Sequence, residues 1–78
     1  MNISIQTFQD SSGWGYDIVV DGKLMIHQPH IPAISGYKGF ESKDKALVTA
    51  EFVVSKIRNK IVPPSVSVHE LDSLGVIN

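Results

Sequence analysis

The chain has 78 residues, no cysteine and a nearly balanced charge, with 7 Lys and Arg against 8 Asp and Glu. This length predicts one domain, residues 1–78, with a single small core. The lack of cysteine excludes disulfides and thiolate metal sites. The lack of a basic stripe argues against nucleic acid as a partner, and no apolar run is long enough to span a bilayer.

Three strands are predicted in the first third of the chain. Ile3 and Ile5 alternate with polar residues, which is the period-2 pattern of a half-buried strand, and a turn cluster follows at residues 9–13. A second strand is predicted from Trp14 to residue 19 or 20 and a third over residues 23–27. The dipeptide Asp21-Gly22 lies between them and indicates a hairpin.

The faces of this hairpin depend on its turn. With a two-residue turn at Asp21-Gly22, both sheet faces would mix polar and apolar side chains. A three-residue turn that includes Val20, with a bulge at Gly22, separates them, so we predict that register. The predicted inner face then carries Trp14, Tyr16, Ile18, Leu24 and Ile26. The predicted outer face carries Asp17, Val19, Lys23, Met25 and His27.

A long loop and a helix are predicted next. Residues 28–40 contain two prolines and two glycines and lack a helical period, and loops of this length are commonly functional. Ser42 is a good N-cap for a helix that runs to about Asn59. Its predicted apolar stripe consists of Ala46, Leu47, Ala50, Val53, Val54 and Ile57. Thr49 is predicted on the solvated side.

The C-terminal part is predicted to pack as a short tail. Pro63-Pro64 ends the helical segment. Residues 66–68 read as extended, residues 69–74 as one or two helical turns, and Gly75 as their terminator. The predicted fold class is therefore α+β: a three-stranded antiparallel β-meander packed on one α-helix, with a short C-terminal extended segment and helical turn.

The string Ile26-His27-Gln28-Pro29-His30-Ile31-Pro32 is the most distinctive motif of the chain. Together with Trp14-Gly15-Tyr16 and Pro63-Pro64 it resembles a family of small uncharacterised Bacteroidetes proteins, a domain of unknown function. The resemblance covers residues 13–76. It implies an exported envelope protein whose signal or lipoprotein segment has been removed, which would explain the abrupt start, and hence a periplasmic or envelope location. It implies no reaction and no catalytic residue.

His27 and His30 are the one pair with ligand-like spacing. The Gln28-Pro29 dipeptide between them favours an extended path on which residues three apart share a side. Neutral imidazoles so placed could hold a transition metal, with Asp17, diagonal to His27 across the hairpin, as a third ligand. The alternative is that His27 ends a strand and His30 braces the proline-rich loop. We expect the bracing role.

The remaining candidates indicate binding rather than catalysis. No nucleophile elbow or paired-carboxylate motif is present, so we expect no enzyme and no cofactor. Glycines before the Ser42 helix start also suggest an anion site, but they match no phosphate-binding fingerprint. The leading hypothesis is a non-enzymatic binding or interaction module for a protein or peptide partner, using His27, His30, Tyr37 and Lys38. Two assemblies are predicted: a homodimer through a sheet edge or the open face, which we favour, or a monomer whose C-terminal tail covers that face.

Overall fold

A three-stranded antiparallel sheet forms the first third of the protein. The structure is a computed structural model and describes residues 1–77. The strands are β1 (Ile3–Asp10), β2 (Gly13–Val20) and β3 (Lys23–Gln28), in the order β1-β2-β3. The predicted meander is confirmed. The first turn is shorter than predicted, because only Ser11 and Ser12 lie outside the strands. The Asp10 carboxylate accepts the Ser12 backbone N–H at 2.8 Å and closes this turn.

The predicted register of the second hairpin is wrong. Val20 pairs with Lys23 across a two-residue turn, and Asp21 and Gly22 have φ of 49° and 81°. Positive φ at both positions is typical of the hairpin turn whose twist matches that of the strands, and Asp-Gly is a preferred sequence for it. The register then shifts between Ile18 and Val19 through a β-bulge. Because of this bulge, Ile18 pairs with Ile26.

This bulge decides which apolar side chains of β3 are buried. Leu24 pairs with Val19 on the outer face and is 60% exposed, whereas Ile26 packs against the core. The inner-face prediction is therefore correct for Tyr16, Ile18 and Ile26 and wrong for Leu24. Met25 is the extra residue opposite the shift and is 54% exposed.

Helix α1 (Lys43–Arg58) covers the inner face. Its predicted ends are confirmed, because the Ser42 hydroxyl accepts the Lys45 backbone N–H at 3.2 Å and Asn59 is the C-cap. The prediction for Thr49 is wrong: the side chain is buried, and its hydroxyl donates to the Lys45 carbonyl at 2.9 Å. A threonine can be buried on a helix in this way because the preceding turn satisfies its polar atom.

The tail ends in helix α2 (Val68–Ser73). Ser67 and Glu70 form a capping box, in which the Ser67 hydroxyl accepts the Glu70 backbone N–H at 3.1 Å and the Glu70 carboxylate accepts the Ser67 backbone N–H at 2.9 Å. The helix begins at Val68, which had been predicted as extended. Gly75, with φ of 74°, follows the helix in the left-handed conformation that was predicted for it.

The core lies between the inner sheet face, α1 and the tail. Its buried apolar residues are Tyr16, Ile18, Ile31, Phe40, Ala46, Ala50, Val53, Val66, Leu71 and Val76. The tail therefore packs into the helix side of the sheet and leaves Leu24 and Met25 of the outer face exposed. Within residues 1–77, neither helix has the length and apolar content needed to cross a bilayer.

Candidate functional site

The loop between β3 and α1 is anchored at both ends. Trp14 and Phe40 exchange backbone hydrogen bonds of 2.9 and 2.8 Å, so the chain returns to the edge of β2 before α1 begins. Within the loop, the Ile31 N–H donates to the Lys38 carbonyl at 2.9 Å. Ile31 and Phe40 are buried, whereas Tyr37 is 83% exposed. The loop is thus a fixed wall with an exposed tip.

A cleft of about 400 Å³ opens between this loop, the sheet, α1 and the segment after Pro63. We call it the Tyr16 cleft. Its apolar lining consists of Ile26, Pro32, Ala33, Val53, Pro64 and Val66. Its polar lining consists of Tyr16, Gln28 and Ser65. An apolar cleft with a few polar groups is the usual form of a ligand site, and such sites have volumes of roughly 300–1,000 Å³.

The Tyr16 hydroxyl is the notable polar group of the cleft. The residue is 1% exposed, and its hydroxyl forms no hydrogen bond with any group in residues 1–77. Tyr16 is among the residues that line the cleft. Burial raises the pKa of Tyr16 to about 12, which keeps the phenol neutral at ordinary pH. A neutral phenol can both donate and accept a hydrogen bond.

Gln28 and Ser65 are held by bonds that leave part of each group free. The Gln28 side-chain N–H donates to the His30 carbonyl at 2.7 Å, and its amide oxygen has no donor within residues 1–77. The Ser65 carbonyl accepts the Lys56 ammonium at 2.5 Å, and the hydroxyl is not used in that bond. In each bond the acceptor is a backbone carbonyl, and the two bonds position Gln28 and Ser65 in the lining of the cleft.

The three residues predicted to bind metal do not form one cluster. Asp17 lies directly opposite His27 rather than diagonal to it, and the Asp17 carboxylate is 2.5 Å from His27 Nδ1. The His27 ring also stacks on Phe8, at 5.2 Å between centroids and 12° between planes. The His30 ring instead meets the edge of Tyr37, 5.4 Å away. Residues 1–77 contain no group of three or more His, Cys, Asp or Glu suited to a metal.

The residues predicted to bind a partner lie outside the Tyr16 cleft. His27 is on the outer face, and Tyr37 and Lys38 are at the exposed loop tip. The loop in which these residues were predicted contributes Pro32 and Ala33 to a wall of the cleft. The sequence did not indicate Tyr16, which its alternation placed in the core, or Ser65, which reaches the cleft only through the fold of the tail. The one signal in the sequence was that the predicted core position 16 carries a tyrosine rather than a phenylalanine, since a buried tyrosine hydroxyl usually has a hydrogen-bond partner.

The fold and the cleft together define a small α+β domain with one open antiparallel sheet. The chain belongs to the family DUF4907, a domain of unknown function, whose family model matches residues 6–73. No curated protein and no solved structure matches the chain. Membership of a family of unknown function is thus confirmed. A Bacteroidetes origin and a family-wide His-Gln-Pro-His string stay predictions.

Proposed function

We propose that the chain is a non-enzymatic binding module that takes an apolar side chain of a protein or peptide partner into the Tyr16 cleft. The observation that supports this most is the apolar cleft itself, whose lining includes Tyr16, a residue with no hydroxyl hydrogen bond within residues 1–77. A bound peptide could supply a hydrogen-bond partner for that hydroxyl.

The lining of the cleft defines the group that it would accept. Its walls are aliphatic side chains and prolines, which favour an apolar group. Its polar lining residues are tyrosine, glutamine and serine, whose neutral side chains suit the amide of a peptide backbone better than a charge. An apolar side chain with its own peptide amide satisfies both requirements.

The position of the ionisable groups supports binding rather than catalysis. Tyr16 is the one titratable residue among those that line the cleft, and its raised pKa keeps it neutral. The Asp17–His27 pair is on the outer face of the sheet, because side chains of neighbouring strand residues point to opposite faces. The Asp17–His27 pair and the cleft therefore lie on different sides of the sheet.

A titration with capped amino acids tests the proposal. N-acetyl-leucinamide and N-acetyl-glycinamide differ only in the apolar side chain and can be added to isotope-labelled protein. We expect the leucine probe to shift the backbone resonances of Ile26, Val53 and Val66, and the glycine probe to leave them unchanged. Shifts confined to the outer face, or none at millimolar probe, would contradict the proposal.

Tyr16→Phe is the decisive variant, and Tyr37→Phe is its matched control. Both remove one phenol oxygen, but Tyr37 lies outside the cleft and is exposed. Loss of a hydrogen bond worth about 1 kcal/mol predicts roughly fivefold weaker binding of the leucine probe to Tyr16→Phe. Binding to Tyr37→Phe is expected to equal that of the unmodified protein.

A small metal-binding protein that uses His27 and His30 is the alternative function. The Asp17 carboxylate already engages His27 Nδ1, so a metal would have to bind the other ring nitrogen. We expect stoichiometric Zn²⁺ to leave both histidine rings unchanged by NMR. Coupled shifts of the two rings that His30→Ala abolishes would favour the metal-binding alternative.

We further propose a bacterial envelope location, which rests on the resemblance alone. Cell fractionation of the source bacterium, with an antibody against the domain, tests it. We expect the protein in the envelope or periplasmic fraction, and recovery with cytoplasmic markers would contradict the proposal. A homodimer is proposed as well, and its surface is argued in the next subsection.

A further inference from the structure

The outer edge of β1 carries unpaired backbone groups. Trp14 exchanges its backbone bonds with Phe40, so its β1 partner Gln9 belongs to a non-hydrogen-bonded pair. Because bonded and non-bonded pairs alternate in an antiparallel ladder, Ile3, Ile5 and Thr7 share this property. Their N–H and C=O groups point away from β2, and within residues 1–77 no strand lies on that side.

This edge lacks the features that usually block strand pairing. β1 is eight residues long and contains neither proline nor lysine, and its pairing with β2 runs without a register shift. β3, at the opposite edge, begins with Lys23, contains the bulge and is followed by Pro29. Exposed edges are normally protected by such features, so β1 is the edge that is suited to pairing with another strand.

A groove beside this edge carries a self-complementary set of side chains. It has a volume of about 550 Å³ and is lined by Ile5, Glu51, Val54, Ser55, Arg58 and Asn59. Glu51, Val54, Ser55 and Arg58 are spaced i, i+3, i+4 and i+7, so they form one stripe of α1. Glu51 and Arg58 are exposed at its two ends, and neither forms an ion pair within residues 1–77.

We propose that two copies of this chain associate through β1 and this α1 stripe around a twofold axis. An axis beside Ile5 pairs the two β1 strands antiparallel and extends the sheet to six strands. The same axis runs the two α1 helices antiparallel, with Val54 and Ser55 at the centre. Glu51 of each copy then faces Arg58 of the other, so one surface supplies both ion pairs, as a twofold interface requires.

The position of α1 fits this arrangement. The helix packs mainly over β1 and β2, close to the free edge. With strands about 4.8 Å apart, a helix centred above the boundary between β1 and β2 lies about 10 Å from its copy across a β1–β1 pair. That separation is close to the usual 8–10 Å between packed helices, and the small Ser55 and Val54 at the centre favour close approach. The interface does not involve the Tyr16 cleft, so it is independent of the proposed function.

Charge reversal combined with sedimentation equilibrium tests the proposal. Glu51→Arg and Arg58→Glu each place like charges at both contacts, and we expect the dimer Kd to rise at least tenfold in each, since two attractive contacts become repulsive. An equimolar mixture of the two variants has opposite charges at both contacts. It is expected to form a heterodimer with roughly the Kd of the unmodified protein, and so is the double variant with itself.

Lys23→Glu, at the opposite edge of the sheet, is the control and is expected to leave the Kd unchanged. Hydrogen exchange supplies a second measurement, in which the outward amides of Ile5 and Thr7 become protected as protein concentration rises. A monomer at millimolar concentration would overturn the proposal. So would a dimer that the single charge reversals leave intact, because its interface would then lie elsewhere.

Discussion

Gly15 leaves room for the Phe8 ring to pack on the outer face of the sheet. A Cβ at this position would lie 2.6 Å from the Gln28 carbonyl oxygen and 2.7 Å from the Phe8 ring. Phe8 lies opposite Gly15 on β1, and its ring stacks on His27. The missing side chain therefore lets an aromatic ring and a strand end approach the backbone of β2, which is a common reason for glycine inside a strand.

Gly15→Ala is expected to destabilise the protein by about 1–3 kcal/mol, the usual cost of overpacking. It should also displace Phe8, so the His27 ring protons should lose their ring-current shift in NMR spectra. Gly36→Ala is the control: it strains a residue with φ of 96° but meets no atom within 4 Å. Unchanged His27 shifts in Gly15→Ala would contradict this account of the contact.

Ile18 and Leu24 provide a test of the observed register. Ile18 is fully buried and Leu24 is exposed, although a three-residue turn would have paired the two on the inner face. Ile18→Ala is expected to cost about 2–4 kcal/mol, the range for an emptied core position. Leu24→Ala is expected to change the free energy of unfolding by less than about 0.5 kcal/mol. Urea denaturation measures both, and similar large losses would indicate the three-residue turn.

At the scale of elements, Lys56 connects α1 to the tail. Its ammonium lies 2.8 Å from the Glu70 carboxylate and 4.8 Å from the centroid of the Phe52 ring. Glu70 also closes the capping box at the start of α2. One ion pair thus joins the side of the long helix to the first turn of the short one, and a six-residue helix depends on such tertiary contacts.

The Lys56–Glu70 ion pair predicts that the free energy of unfolding decreases in acid. The hydrogen bond from Lys56, followed by that from the Ser67 backbone, holds the pKa of Glu70 below its usual value. A lowered pKa in the folded state means that this stabilisation is complete above about pH 4.5 and is lost as pH falls through the folded value. The urea midpoint of the unmodified protein should therefore fall with acid more steeply than that of Glu70→Gln. Glu41→Gln, at an exposed pair 3.4 Å from Lys45, should keep the steep dependence.

At the scale of the whole molecule, residues 1–77 cover only one face of the sheet. Its radius of gyration is 11.8 Å, and small domains bury a small share of their surface. Within residues 1–77, no strand pairs with the β1 edge, and Leu24 and Met25 of the outer face are exposed. Association through that edge would add burial that the single chain cannot provide.

Mass action then makes thermal stability depend on concentration, because a dimer is favoured over unfolded monomers as protein is added. The Tm of the unmodified protein is expected to rise by several degrees over a hundredfold increase in concentration. Glu51→Arg should show a nearly constant Tm over the same range. Differential scanning calorimetry measures both, and a constant Tm in the unmodified protein would argue against a dimer.

Much of the fold could be predicted, and little of the candidate site. The Ile3–Ile5 alternation, the Ser42 cap and the Gly75 terminator are local signals, and each marked an element that the structure contains. The Tyr16 cleft arises where the loop, α1 and the tail meet, at residues far apart in the chain. A local sequence pattern cannot indicate contacts between distant segments, so it predicts only core or loop positions for the cleft residues.

The sequence by itself determined the α+β class, the three strands and both helices, because strand and helix periods and their caps act over a few residues. Only the tertiary structure showed which of two competing signals in the sequence sets the hairpin register. The twist preference of the Asp21-Gly22 turn took precedence over face segregation, and a bulge corrected the mismatch one residue later, at the cost of exposing Leu24. It also decided that Tyr16 borders a cleft, since a strand pattern tells which face a side chain takes but not what covers it.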